Sequence, residues 1–338
     1  MTSNASSNDE TALHAPTAPG TTGAVRPLVS VVIACFNAER TLGETLASVA
    51  AQTLGDLEVF VVDDGSSDAS RDIASRWAVA DSRFHLVTMP RNGGPSLARR
   101  AGVERSAAPY VAFLDADDLW TPEHLAHHVA ALRANEGLGV SFSPCAYIDD
   151  AGRPSGAGSR VHDGAVVAAE LLSSNPTTTC SSLVVRRAVL DEVGHFRSDM
   201  THAEDQEWLF RVVRAGWEVR GIKARTVAYR RSHTGLSADT TRMERGWRQF
   251  VDIARAGAPD VVAPALPGAT AAMHFYWARQ CAAAGSRRQV QRHLVEGLRA
   301  SPSSALGAPG TAMFLAGASL SPFLAMRVAD LARSASRG

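Results

Sequence analysis

Lysine is nearly missing: of the 34 basic side chains in these 338 residues only Lys223 is a lysine, and the others are arginine. With alanine abundant as well, the skew reads as a GC-rich coding bias before it reads as phosphate recognition. Net charge is missing too. Lys plus Arg and Asp plus Glu each number 34, so no overall field argues for nucleic acid or an anionic membrane surface. The four cysteines, Cys35, Cys145, Cys180 and Cys281, are far apart and form no C-x-x-C pair. That excludes a disulfide framework and favours a reducing, cytoplasmic setting. The first residues are rich in Ser, Thr, Asn, Ala and Pro, without a basic start or an apolar core; 1–26 reads as a disordered tail, not a signal peptide. No G-x-G-x-x-G follows the first apolar run, which excludes a nicotinamide-dependent dehydrogenase.

What is present begins after Pro27. Leu28–Ala34 is a β-branched apolar run of the kind that forms a strand buried on both faces. Leu42, Leu46 and Val49 follow at helical spacing, then a second apolar run, Leu57–Val62. This strand–helix–strand unit implies a parallel sheet. The alternation continues with a helix near Ser67–Ala78, a strand near Phe84–Val87, a helix near Ser96–Arg105 and the strand Tyr110–Leu114. The expected fold is α/β: a doubly wound, mostly parallel, Rossmann-like sheet flanked by helices. A further helix is expected to start with Thr121 as N-cap, Pro122 at its first position and Glu123 in its first turn. Beyond Gly139 come short strands, Gly/Pro turns and an irregular stretch at Asp149–Gly164. The division expected is an α/β domain over 27–240, with a nucleotide half to about 120, and a helical C-terminal region over 241–338.

In such sheets ligands lie outside the carboxyl ends of the strands, and here those ends are acidic. Asp115-Ala116-Asp117 closes one strand. Two carboxylates two apart can meet one hard cation, Mn2+ or Mg2+, whose shell substrate phosphates and water complete. A turn with solvated acids is the plain alternative. Asp63-Asp64-Gly65-Ser66-Ser67-Asp68 closes another strand. A carboxylate there can accept hydrogen bonds from a nucleobase or ribose, and Gly65 lets the chain turn closely past the ligand. Ser66, Ser67 and Asp68 equally suit helix capping, for which Asp64 is not needed. Glu204-Asp205 opens an amphipathic helix with Trp208, Leu209, Val212 and Val213 inward; the helix dipole alone would favour acids there by ~0.3–1 kcal/mol.

Taken together these segments become specific. Val29–Asn37, Val61–Asp68, Asn92-Gly-Gly-Pro-Ser-Leu-Ala-Arg-Arg100, Phe113–Asp118 and Glu204-Asp-Gln-Glu-Trp208 stand in one order and spacing. In that order they resemble glycosyltransferase family 2, inverting enzymes of GT-A fold, from about Pro27 to Ser237. Ala34-Cys35 departs from the family's usual Pro, and Arg100 from its common Asn. The resemblance implies that Asn37 and Glu39, with Ala34 and Phe36 on the same strand end, lie beside the nucleotide. It implies that Asp64 contacts the base, and that Asn92, Gly94 and Arg99 line the diphosphate or sugar. Asp115 and Ala116 would meet the ribose or sugar, and Asp117 would bind the metal. Asp205 matches the family's general base, with Glu204 orienting it or gripping the acceptor. Tyr229–Ser237 resembles the loop that closes over the phosphates, making His233 a candidate phosphate or metal contact.

The implied activity is transfer of a sugar from a nucleotide-diphosphate sugar to a hydroxyl on a glycan or lipid-linked acceptor. UDP-sugars are the usual donors; GDP or dTDP donors fit the same residues. Two alternatives remain at this level, a nucleotidyltransferase-like sugar-nucleotide enzyme and an inactive carbohydrate-binding protein. The first should carry a Gly/Arg/Lys-rich loop after Ala34, which is absent; the second has no need of Asp117 and Asp205. Other signals carry less. His124, His127 and His128 are spaced as metal ligands on a helix, but a solvated helix face is the simpler reading. Gln289–His293 lacks the Trp of a Q-x-x-R-W motif and reads as surface helix. Residues 300–326 hold no charged side chain, but Pro302, Pro309 and Pro322 interrupt them. A packed tail is expected there, with contact at the inner face of the membrane as the alternative to a purely cytoplasmic protein.

Overall fold

A computed structural model of the chain describes residues 26–231 and 239–303. The first half runs β1 (Val29–Cys35), α1 (Leu42–Ala50), β2 (Leu57–Asp63), α2 (Ser70–Ala80), β3 (Phe84–Thr88), α3 (Pro95–Val103) and β4 (Tyr110–Asp115). β1 pairs in parallel with β2 on one edge and with β4 on the other, and β2 pairs with β3. The chain therefore builds outward through β1, β2 and β3, then crosses back to lay β4 against the free edge of β1. That reversal is a topological switch point, where a doubly wound sheet opens a crevice at its carboxyl ends.

The apolar runs are continuous because both faces of these strands are covered. Val29, Val31 and Ile33 pack with Leu42 and Leu46 of α1, while Val32 and Val62 join the opposite core. α3 approaches that second face so closely that a Cβ at Gly102 would lie 2.5 Å from Val32 Cγ1. Only a glycine admits this helix to the sheet.

The second half runs β5 (Leu119–Trp120), α4 (His124–Ala134), β6 (Leu138–Phe142), β7 (Cys145–Ile148), β8 (Pro154–Gly158), α5 (Ala168–Leu171) and a 3-10 turn at Cys180–Ser182. It continues with β9 (Val184–Arg186), α6 (Arg187–Val193), α7 (Glu204–Arg214), β10 (Glu218–Gly221) and β11 (Val227–Arg230). The main sheet has the order β10-β6-β9-β4-β1-β2-β3, antiparallel only where β9 meets β4 and β6. A smaller sheet has the order β5-β11-β7-β8.

Three helices follow: α8 (Thr240–Gly257), α9 (Pro259–Ala283) and α10 (Arg287–Ala300). α9 and α10 close a small core between them, with Phe275, Cys281, Leu294 and Leu298, but the helices also join the main core. Trp247, Phe250, Val262 and Trp277 belong to the cluster that also holds Phe113 and Trp208, and Phe210 meets Phe250 edge-on at 5.8 Å. No helix among the described residues is long and apolar enough to cross a membrane; most of 300–326 lies outside them.

Three expectations need correction. α4 begins at His124, not just after Thr121, because tertiary partners claim the preceding turn: Thr121 N–H donates to Thr226 O, and Pro122 O accepts the Thr53 N–H. His124 and His128 do not face solvent; both are fully buried and only His127 is exposed. Their Nδ1 atoms lie 2.7 Å from the hydroxyls of Thr226 and Ser141, and Trp120 stacks on His124 at 4.1 Å. Burial keeps both rings neutral, lowering the pKa of His128 to about 3 and that of His124 well below its ordinary value. They are core side chains partnered at Nδ1, with each Nε2 buried and without a hydrogen-bond partner among the described residues. Gln289–His293 is surface only in part, since His293 is buried against His274 with Nδ1 atoms 3.0 Å apart.

Candidate active site

The carboxyl ends of β1 and β2 are laced together. Asn37, held at φ 49, gives its N–H to Ser66 Oγ and accepts the Ser67 N–H on Oδ1. Glu39 gives its N–H to Asp68 and accepts the Ala69 N–H on Oε2, while Asp68 accepts the Ser70 N–H. Asp68 and Glu39 therefore cap α2, in place of Ser66 and Ser67. Asp64 is 2% exposed, and its two oxygens accept the N–H groups of Gly93 and Gly94 at 2.8 Å each. It shapes the Asn92–Gly94 turn that leads into α3. Gly65, at φ 75, lets the two turns touch: a Cβ there would lie 2.9 Å from the backbone at Arg91 and Asn92. Beyond Ala34 at the end of β1, Phe36 stands 48% exposed.

At the end of β4 the three acids take different positions. Asp115 receives Arg99 Nη2 at 2.6 Å and the Thr179 hydroxyl at 3.2 Å, and gives its own N–H to Ser181 Oγ. Asp118 is fully buried, accepting the Ser181 hydroxyl at 2.6 Å and the Arg230 N–H at 2.8 Å. Between them, the carbonyl of Ala116 accepts the hydroxyls of Thr41, the N-cap of α1, and of Thr45 within α1. The backbone is thus clamped from three sides, and Asp117 is what the clamp presents. Among the described residues no other group donates to the Asp117 carboxylate. Burial, then the neighbouring Asp115 charge, pushes its pKa up to about 6.

Arg230 completes the clamp. Its guanidinium donates to the carbonyls of Asp117, Asp149 and Asp150 and to the Glu44 carboxylate. Asp118, Arg230, Thr179 and Ser181 were not evident as site residues from spacing. Asp118 and Arg230 fall within the segments Phe113–Asp118 and Tyr229–Ser237, and Thr179 and Ser181 within the hydroxyl-rich run Thr177–Ser182, whose partners lie sixty or more residues away.

The second group of acids is in the first turn of α7. Its N-cap, Ala203, adopts the left-handed conformation at φ 60, which turns Glu204 and Asp205 inward. Burial raises the pKa of both acids, helped at Glu204 by the adjacent Asp205. Arg99 joins the two sides: only 5% exposed, it donates to Asp115 at 2.6 Å and to Glu204 at 3.3 Å. Its charge is thereby already shared between two carboxylates. His233 lies outside the described residues.

The donor set suits a hard divalent cation. Asp115 and Asp117 stand together at the end of β4; Arg99 pairs with Asp115, and the nearby Arg230 charge offsets only part of the burial that raises the Asp117 pKa. Among the described residues no group of three or more potential ligands surrounds one point. One or two carboxylates completed by substrate phosphates and water remain sufficient for Mg2+ or Mn2+.

A doubly wound sheet with acids gathered at its switch point, continued into a second half that brings a helix-borne acid pair, is the GT-A glycosyltransferase fold. Residues 30–194, just under half of the chain, match the family described as Glycosyl transferase family 2, and this segment belongs to that family. TuaG of Bacillus subtilis (strain 168), whose name assigns it to teichuronic acid biosynthesis, is 40% identical over 100 residues, covering 30% of this chain and 40% of TuaG. The Escherichia coli protein UDP-Glc:alpha-D-GlcNAc-diphosphoundecaprenol beta-1,3-glucosyltransferase WfgD is 33% identical over 115 residues, 34% of this chain and 44% of WfgD. The matches thus span less than half the length of these relatives. In three dimensions the mannosyltransferase PcManGT from Pyrobaculum calidifontis, in complex with GDP-Man and Mn2+, aligns with TM-score 0.59 at 21% identity over 91% of this chain and 85% of that one. S. aureus TarS 1–349 with UDP-GlcNAc aligns with TM-score 0.57 at 18% identity over 82% and 83%.

Proposed function

We propose that this protein transfers a hexosyl group from a nucleotide-diphosphate sugar to an acceptor hydroxyl with inversion. The acceptor is a glycan or lipid-linked sugar of the cell envelope, and the reaction takes place in the cytoplasm or at the inner face of the membrane. The observation that carries the reading is the Arg99 bridge, one buried guanidinium paired both with Asp115 at the end of β4 and with Glu204 at the start of α7. WfgD is named for a lipid-linked acceptor, and the same fold holds UDP-GlcNAc in TarS and GDP-Man with Mn2+ in PcManGT, which supports the donor and acceptor classes proposed.

In such a transfer negative charge builds on the leaving phosphate oxygen as the anomeric bond breaks. A divalent cation bound at Asp117 would neutralise that charge as a Lewis acid. Asp115 and Asp117 hold the donor end of the cleft and Asp205 its acceptor end. Asp205 accepts the proton of the attacking hydroxyl, which it must approach to about 2.6–3.2 Å. Burial keeps Asp205 basic enough for this: a carboxylate with raised pKa takes a proton more readily than a solvated one. Direct displacement leaves no task for a second carboxylate nucleophile, and inversion follows.

The test is a thermal-shift screen of UDP, GDP and dTDP with and without Mn2+, on the wild type, Asp117→Ala and Asp205→Asn. The expected outcome is a metal-dependent shift lost in Asp117→Ala and kept in Asp205→Asn, the latter losing transfer. A nucleotide shift indifferent to metal and to Asp117→Ala would refute the donor site.

A further inference from the structure

Asn175 sits in the loop between α5 and the 3-10 turn. Its Oδ1 accepts the Thr177 N–H at 3.1 Å and the Thr177 hydroxyl at 2.8 Å. A backbone N–H can only donate, so the amide has one orientation, with Nδ2 turned toward α7. That Nδ2 donates to Asp205 Oδ2 at 2.6 Å, and Asp205 Oδ1 accepts the Gln206 N–H at 2.8 Å. One donor on each oxygen fixes the plane of the carboxylate and leaves a lone pair on each for an incoming hydroxyl.

The loop that carries Asn175 is itself held. Gln206 Nε2 donates to the carbonyls of Leu171 and Ser174, and Ser182 Oγ donates to the carbonyl of Thr177. Thr178 stands at φ 69, a left-handed conformation that a β-branched residue keeps only where its surroundings over-determine it. Other charged and titratable groups face Asp205 from three elements: Glu204 beside it on α7, Arg99 from α3, and the buried Cys180 of the 3-10 turn. Arg99 is committed to Asp115 and Glu204. Among the described residues, Asn175 therefore makes the hydrogen bond that reaches Asp205 from outside its own helix.

We propose that Asn175 is a positioning residue for sugar transfer, orienting the Asp205 carboxylate toward the acceptor hydroxyl and holding it ionised. The proposal rests on Asp205 being the base. An amide donor favours the ionised form of its acceptor, so removing it both frees the carboxylate to rotate and makes it harder to ionise.

The experiment uses the full chain as wild type, Asn175→Ala, Asn175→Asp and Asp205→Asn. Asn175→Asp keeps the shape and the Thr177 bonds but sets a second carboxylate against Asp205. With aspartate labelled at 13Cγ, the Asp205 resonance is identified by its loss in Asp205→Asn. Its titration is expected to move to higher pH in Asn175→Ala and further in Asn175→Asp, with melting temperatures within a few degrees of wild type. Release of nucleoside diphosphate from UDP-glucose, UDP-GlcNAc and GDP-mannose with Mn2+ is expected to lose about 10–100-fold in kcat at unchanged donor KM. An Asp205 titration unmoved by both variants overturns the proposal whether or not any of these donors turns over. If Asp205→Asn abolishes release while both Asn175 variants match wild type, the proposal falls and the base assignment stands. If Asp205→Asn is as active as wild type, the base assignment falls and takes the proposal with it.

Discussion

Arg230 shows how much one side chain at a strand end can hold. Its guanidinium gives hydrogen bonds to three backbone carbonyls and to Glu44, and its N–H meets Asp118. The side chain is 4% exposed, so its truncation leaves the carbonyls of Asp117, Asp149 and Asp150 without a charged donor. Arg230→Ala is expected to destabilise the fold by about 3 kcal/mol, as loss of buried charge-assisted hydrogen bonds does. Metal-dependent nucleotide binding should also weaken, because the carbonyl that sets the position of Asp117 is released. Arg230→Lys should recover only part of either effect, a single ammonium being unable to span those acceptors. Chemical denaturation and a nucleotide titration check both. Equal stability of Arg230→Ala and wild type would show that water replaces the clamp.

At this scale the sequence told part of the story. Asp115, Asp117, Glu204 and Asp205 were legible because each closes a buried strand or opens a helix, positions where fold and chemistry coincide. Arg230, Asn175, Thr179 and Ser181 were not, because their partners lie thirty to more than one hundred residues away. Arg99 was legible as a site residue, but nothing in its spacing tells that two carboxylates take up its charge.

Among the elements, α3 is the one whose seat on the sheet is narrowest. Gly102 faces Val32 and Val62 across a gap that a Cβ would close to 2.5 Å, and α3 carries both the Arg99 bridge and, at its start, the turn held by Asp64. Gly102→Ala is expected to cost ~1–3 kcal/mol through overpacking and to lower turnover by shifting Arg99. Val32→Ala alone leaves a cavity and also destabilises, by a similar ~1–3 kcal/mol. The double variant should be more stable than the two losses added together, since each relieves the other. Urea denaturation of the four proteins reads this directly, and strict additivity would mean that α3 moves away from the sheet instead. Strand and helix positions in this half were readable because burial on both faces leaves uninterrupted apolar runs and the intervening helices keep their period. The inward turn of His124 and His128 was not readable. Their partners, Ser141 and Thr226, come from β6 and from the segment before β11, and a polar ring on a helix has no sequence mark that separates a solvated face from a buried one.

Across the whole molecule, the C-terminal helices join the core of the α/β half and reach the loop that holds Asn175. Trp247 of α8 donates its Nε1–H to the carbonyl of Leu172, while Gln206 of α7 holds Leu171 and Ser174 of the same loop; that loop carries Asn175. Behind Trp247 lies Trp277 of α9, and against Trp277 the ring pair His274–His293 joins α9 to α10. Two imidazoles with Nδ1 atoms 3.0 Å apart share one proton and cannot both be cationic without repulsion. Burial, and Arg292 beside His293, lowers the pKa of His293 to about 4; burial lowers that of His274 as well. The ordinary histidine value is about 6.5, so between the two the unfolded chain binds more protons than the folded one. The stability this pair contributes is therefore complete above about pH 6.5 and is lost as the pH falls toward 4. Glu244, which pairs with Arg248 and Arg292 at the same junction, retains its charge through most of that range, burial being outweighed by its arginine partners, which keep its pKa below the usual value. Thermal melting at a series of pH values should show a steep fall below about 6.5 that flattens in His293→Leu. Turnover at pH 5.5 should decline in wild type beyond what protonation of Asp205, the proposed base, explains, because α9 and α10 no longer brace the loop behind it. A pH dependence of melting identical in wild type and His293→Leu would assign the acid sensitivity to the carboxylates alone.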